Sequence, residues 1–192
     1  MDNKIIIAID AMGGENAPYK NIEGVSLYCK KNKQRDDFHF NLYGDKILIK
    51  KELDKRNVST EIYSIFQSST VVSDEETPLA AIKNSKDSSM WNSINSQIVA
   101  NSNITLSAGN TGVLFVVSRM LLKTIDSVSK PALAGLWPNE KNMNVVLDLG
   151  ANVECDDKNL IDFSEMGAAL YKALFPEETP KVALLNIGSE EI

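Results

Sequence analysis

The chain has 192 residues, 43% hydrophobic and 24% charged, enough for one globular domain with a sizeable core and too apolar for a disordered one. A net charge of −6 argues against non-specific binding to nucleic acid or an anionic membrane surface, a local basic patch aside. Cys29 and Cys155 make no CxxC pair and no disulfide framework, and the single His39 leaves a histidine-dependent triad only one candidate base. His39, between two phenylalanines in a strand-like run, reads as packing rather than chemistry.

Lys4–Asp10 is the first predicted strand, an apolar run too short for a signal sequence or a bilayer span, which points to the cytoplasm. It enters "DAMGGENAP", Asp10 to Pro18, where Gly13 and Gly14 let the backbone turn tightly and approach a ligand. Asn16 is placed there to cap a helix over Lys20–Lys33. A strand over Phe38–Gly44 leads through "YGDK", with Asp45 as N-cap, into a helix over Lys46–Lys55. A third strand is expected at Thr60–Phe66, then helices at Pro78–Ser85 and Ser88–Asn101.

Before the last of these stands "KDSSM", Lys86 to Met90. It reads either as a cap, with Asp87 or Ser88 closing the helix and Lys86 in solvent, or as an anion site. In the second case the N–H groups of Ser89 and Met90 and the Lys86 ammonium would hold a phosphate or a pantetheine phosphodiester.

The fourth strand, Ile104–Ala108, runs into "SAGNTG", Ser107 to Gly112, and a helix over Thr111–Lys123. Gly109 and Gly112 bracket Asn110 and Thr111, so free N–H groups, a carboxamide and a hydroxyl meet at a helix start suited to phosphate or an oxyanion. As a cleft residue, Asn110 is expected to be replaceable by Ala without loss of folding.

Strands at Ala132–Leu136 and Asn144–Leu149 follow, the second running into "DLGANVECD" with Asp148, Gly150 and Asn152, which also read as ordinary turn residues. A helix over Leu160–Phe175 precedes a last strand, Val182–Ile187, ending in "NIGSEE" with Asn186 and Gly188.

Strands alternating with helices predict an α/β fold: a three-layer α/β/α sandwich around a mostly parallel, Rossmann-like sheet, one domain over 1–192. Ligands of such sheets bind beyond the carboxyl ends of the strands, where the four Gly-bearing inserts fall. Neither GxGxxG nor GxxxxGK[ST] is present, so dinucleotide binding and nucleotide hydrolysis have no support. The basic runs Lys30–Arg35, Lys50-Lys51 and Lys55-Arg56 read as helix ends in solvent.

In this order and spacing, "DAMGGENAP", "KDSSM", "SAGNTG", "KPALAGLWP", "LDLGANVEC" and "LLNIGSEE" resemble the phosphate acyltransferases of bacterial fatty acid and phospholipid synthesis. Glu15 stands where that family usually has Asp, and Asn84-Ser85 where it is usually more basic. The resemblance implies transfer of a long-chain acyl group from acyl carrier protein to inorganic phosphate, giving acyl phosphate for a membrane glycerol-3-phosphate acyltransferase. It implies a cytoplasmic homodimer, with peripheral membrane association left open, and neither cofactor, metal nor nucleic acid. On this resemblance Asn110, Thr111, Asp10 and Asn186 are the catalytic candidates. Gly13, Gly14, Asn16, Lys86, Asp87, Ser88, Ser89, Ser107, Gly109, Gly112, Asp148, Gly150, Asn152 and Gly188 are the binding candidates.

The family continues past "LLNIGSEE" into a Lys-Gly pair, whereas this sequence stops at Ile192. The alternative expectation is therefore a truncated, inactive remnant or binding module of that family. A third is another phosphate-handling enzyme of similar layering, such as an acetyl-phosphate-forming transferase or a decarboxylating dehydrogenase.

Overall fold

The computed structural model describes residues 4–186 except Asp74 and Glu76. Residues to Lys123 pack as one compact unit and those from Thr124 as a second.

In the first unit, β1 (Ile5–Asp10) alternates Ile5, Ile7 and Ile9 on one face with Ala8 and Asp10 on the other. It pairs in parallel with β2 (Phe38–Gly44) on one side and β4 (Ile104–Ser107) on the other, and β3 (Tyr63–Gln67) joins β2. The four-stranded order is β3-β2-β1-β4, all parallel. Because parallel strands need crossovers, helices cover both faces. On one face α1 (Tyr19–Lys31) and α2 (Lys46–Lys55) bury Ile22, Val25, Ile49 and Leu53 against Ile9, Phe38, Phe40 and Leu42. On the other, α4 (Ser89–Ile98) lies on the sheet, with Thr105 donating from β4 to Ser93 O at 3.0 Å. Met90 and Ile94 of α4 meet Val113 and Val117 of α5 (Thr111–Leu122) in a second core. The layering is the α/β/α arrangement expected. A short α3 (Pro78–Asn84) lies between β3 and α4 in the chain.

The second unit holds the antiparallel pair β5 (Gly135–Pro138) and β6 (Met143–Val146), closed by Asn139, whose side-chain oxygen accepts from Lys141 and Asn142 N–H at 2.8 Å each. The long α6 (Asp157–Leu174) starts at a capping box in which Asp156 and Asn159 exchange side-chain-to-backbone bonds.

Several boundaries differ from the sequence reading. A 3-10 turn takes Thr60–Ile62, so β3 begins at Tyr63. β5 begins three residues later than predicted, and α6 three earlier because of its capping box. Residues 182–186 of the last predicted strand form none: Val182, Leu184 and Leu185 are 58%, 71% and 64% exposed, and no described strand pairs with them. Ile187 lies outside the described residues.

Candidate functional site

The register that sets Asp10 beside Ser107 brings two loops together at the carboxyl ends of β1 and β4. Ser107 Oγ donates to Asp10 Oδ2 at 2.7 Å and accepts from Gly109 N–H at 3.1 Å. The other carboxylate oxygen of Asp10 accepts from Met12 N–H at 3.3 Å. Asp10 is only 1% exposed, so its carboxylate acts on these loops and not on solvent.

The loops interlock because they lack side chains. A Cβ on Gly13 would stand 2.5 Å from Asp10 Oδ2 and 2.9 Å from Gly109 N; one on Gly14, at φ +84°, would stand 2.6 Å from Ala108 O. Gly109 in turn faces the Met90 methyl, which a Cβ would meet at 2.9 Å. "DAMGG", "SAG" and the first turn of α4 thus share one spot.

Asn110 is the N-cap of α5, its Oδ1 accepting from Val113 N–H at 3.1 Å. Exchange of Asn110 for Ala would remove this cap and leave a helix-end donor unmet, a cost that the expectation of intact folding did not include. Thr111 is exposed at that helix start, where the aligned peptide dipoles favour an anion. Gly112 faces Pro78, whose ring a Cβ would meet at 3.1 Å.

In "KDSSM" the cap is formed. Ser88, fully buried, accepts from Trp91 N–H at 3.1 Å, and Ser89 N–H is taken by Thr70 O at 3.1 Å, leaving that N–H no role toward an anion. Asp87, at φ +64°, turns the chain into the helix, and its carbonyl receives Ser69 N–H at 3.3 Å. Lys86 is exposed.

Asn16 is not the cap of α1. The N-cap is Pro18, without a side-chain bond, while Asn16 is exposed at φ +58° with its carbonyl accepting from Lys20 N–H at 3.3 Å.

Asp148 and Asn152 build a separate cluster in the second unit. Asp148 accepts from Leu133 N–H and from Asn152 N–H, each at 2.7 Å, while the Asn152 carboxamide donates to Pro131 O at 2.8 Å. Gly150 between them takes φ +86°. These bonds are the turn chemistry of one of the two readings. Asn186 is exposed, and Gly188 lies outside the described residues.

Sequence reasoning missed Asn21, whose side-chain amide donates to Ala11 O and Gly13 O at 2.9 Å each and so holds the first glycine loop from inside α1. Nothing in its helical neighbourhood distinguishes it; only the return of the chain over its own loop does.

Away from the site, His39 Nε2 sits 2.9 Å from Ser64 Oγ, and burial pushes its pKa down against a backbone hydrogen bond at Glu61. Arg56, in one of the basic runs, is held by Glu52 at 2.5 Å and lies 4.6 Å over the Tyr19 ring, so it is packed rather than free in solvent. Among the described residues no group of three or more His, Cys, Asp or Glu could hold a metal, and no helix is long and apolar enough to cross a membrane.

A family model described as "Fatty acid synthesis protein" matches residues 5–192. Over its whole length the chain is 48% identical to a phosphate acyltransferase of Pelagibacter ubique and 42% identical to one of Anaplasma phagocytophilum, covering 56% of each. It thus spans just over half the length of the curated relatives it matches. Among solved structures, the EutD phosphotransacetylase from Staphylococcus aureus aligns with 92% of this chain and 55% of its own, at TM-score 0.62 and 13% identity, which is a likeness of fold alone.

Proposed function

The chain belongs to the fatty acid synthesis protein family, and from that membership we propose that the glycine loops after β1 and β4 hold inorganic phosphate for acyl transfer. The reaction is attack of a phosphate oxygen on the carbonyl carbon of a long-chain acyl thioester carried by acyl carrier protein. The C–O bond to phosphate forms, the C–S bond breaks, and the carrier leaves as thiolate, which takes a proton from solvent. The product is an acyl phosphate for phospholipid synthesis, consumed by a membrane glycerol-3-phosphate acyltransferase.

The observation that carries this reading is the side-chain-free contact of Gly13-Gly14 with Ala108-Gly109, fixed by the Asp10–Ser107 bond, beside the start of α5. Bare backbone at a helix start suits a dianion, and phosphate at neutral pH is already a nucleophile, so no Ser-His pair is needed. Thr111 and the N–H groups of the first turn of α5 are the donors to phosphate or to the developing oxyanion, with Asn110 as the residue that orients that turn. Asp10 is a positioning residue. Asp148, Gly150, Asn152 and Asn186, all of the second unit, belong to the same reaction in this proposal. The protein works in the cytoplasm as a homodimer.

The test is acyl phosphate formation from palmitoyl-acyl carrier protein and inorganic phosphate by this 192-residue chain, with product trapped by hydroxylamine. Product that requires phosphate supports the reading. A folded chain that binds phosphate without forming product would instead support a binding module.

A further inference from the structure

Beside α4 lies a pocket of about 270 Å³, just under the ~300–1,000 Å³ span of drug-sized ligand sites and so matched to one ring system with a small substituent. Two strands give it an aromatic side. Tyr43 of β2 and Phe66 of β3 stand opposite each other in the register and stack, with ring centroids 5.0 Å apart and planes 16° from parallel. Tyr43 is 7% exposed, whereas Phe66 is 41% exposed and keeps part of its ring open.

One stripe of α4 forms the other wall: Asn92, Asn95 and Ser96, with Val99 at the C-cap. Asn92 is pinned, its Nδ2 donating to Ser68 Oγ and to Asp87 O at 3.2 Å each, which leaves Oδ1 as an acceptor of fixed direction. Asn95 is half-buried and its side chain bonds no described residue, so its carboxamide brings both a donor and an acceptor. The neighbouring polar groups are committed. Gln67 accepts from Lys46 N–H at 3.0 Å and donates to Ser68 O at 2.9 Å, and Ser96 donates to Ser93 O at 2.6 Å.

No side chain lining the pocket is charged at neutral pH; Tyr43, the one that titrates, is pushed up by burial. A charged group would find no counter-ion there, and an aliphatic one would leave the two carboxamides unmet. A flat, uncharged ring with a donor and an acceptor side by side on its edge meets both demands. It extends the stack onto Phe66, and a carboxamide pairs with the amino group and N7 of adenine in bidentate fashion. Asn92 and Asn95, three positions apart, are neighbours on the helix surface with about 5–6 Å between Cβ atoms. That sets a second acceptor, Asn92 Oδ1, beside the pair for the other N–H of the same amino group.

We propose that this pocket is an adenine-base site, with the ring stacked on Phe66 and its edge read by Asn95 and Asn92. It shares no residue with the glycine loops after β1 and β4 and does not depend on the phosphate-transfer reading.

The test is an amide NMR titration of the unaltered 192-residue chain with adenosine, which has no phosphate to draw it to the glycine loops. Saturable shifts are expected around Phe66, Asn92 and Asn95. Inosine carries a carbonyl where adenosine has its amino group, so it sets an acceptor against the fixed Asn92 oxygen and should bind at least tenfold more weakly. Asn95→Leu removes the carboxamide from a half-buried helix position without loss of helix propensity, and should weaken adenosine binding at least tenfold in a chain that stays folded. Phe66→Leu should do the same by removing the stack. The inference is overturned if the folded unaltered chain shows no saturable adenosine binding, or binds adenosine and inosine alike. Shifts centred on Gly13 and Gly109, or parental affinity in Asn95→Leu, overturn it as well. Should Phe66→Leu not fold, the inosine comparison and Asn95→Leu decide.

Discussion

Gly13 carries the tightest geometric demand at the site. Adding one methyl brings an atom within 2.5 Å of a buried carboxylate oxygen and 2.9 Å of a backbone nitrogen, neither the tip of a flexible chain. Gly13→Ala should cost about 1–3 kcal/mol, seen as a lower midpoint in thermal or urea unfolding. Gly24→Ala is the opposite case and should stabilise by about 0.5–1 kcal/mol; a loss there would contradict the open space at its Cβ. His39 offers a pH signature that no other histidine can blur. Burial holds its folded pKa below the ordinary ~6.5, so the unfolded chain takes up the proton first as pH falls. Stability should therefore be complete above the unfolded pKa, decline as pH drops toward the lowered folded value, and then level. His39→Gln should flatten that decline, and an NMR titration placing the imidazole above its ordinary pKa would contradict it. At this scale the sequence exposed Gly13, Gly14 and Gly109 as places where backbone approaches something, because missing side chains are visible in a string of letters. It could not show that what they approach first is each other. Asn21 was illegible for the same reason, its partners Ala11 and Gly13 being met only after the chain turns back.

Helix starts decide the roles of two further residues. Asn110 caps α5 as Asp45 caps α2, where Ile47 and Leu48 N–H both bond the Asp45 carboxylate at 2.9 Å. Asn110→Ala therefore mixes two losses, a cap worth about 0.5–2 kcal/mol and any role toward substrate. Asn110→Asp separates them, since Asp caps as well as Asn but sets a negative charge beside the proposed dianion. The expectation is a chain that stays folded, with acyl phosphate formation or phosphate affinity reduced at least tenfold. Retained affinity would remove phosphate from this helix start. Elements with strong local signals were legible: β2 and α2 stand at their predicted bounds because alternation, a turn and an Asp cap agree there. The start of α6 was not, because its capping box pairs Asp156 with Asn159 rather than with the more familiar Glu or Gln. The run at 182–186 reads as a strand from β-branched and leucine content, yet a strand exists only with a neighbour to bond, and no described strand supplies one.

At the level of the molecule, the first unit gathers the proposed phosphate chemistry at one end of a parallel sheet. The order β3-β2-β1-β4 puts β1 and β4 side by side, and their register joins Asp10 to Ser107 across 97 positions of sequence. No linear pattern displays that meeting. Topology of this kind was legible only as a class, since alternating strands and helices announce a parallel sheet but not which strand ends meet. The family resemblance read from six short motifs agrees with the match over residues 5–192. Its motifs divide between the two units, "DAMGGENAP", "KDSSM" and "SAGNTG" in the first and "KPALAGLWP", "LDLGANVEC" and "LLNIGSEE" in the second.

The central claim is that phosphate sits on the glycine loops after β1 and β4, and the most direct measurement is an amide NMR titration of the chain with inorganic phosphate. The account predicts saturable shifts concentrated at Gly13, Gly14, Gly109, Thr111 and Gly112, reduced in Asn110→Asp. Shifts centred on Ser89 and Met90, or none at all in a folded sample, would contradict it.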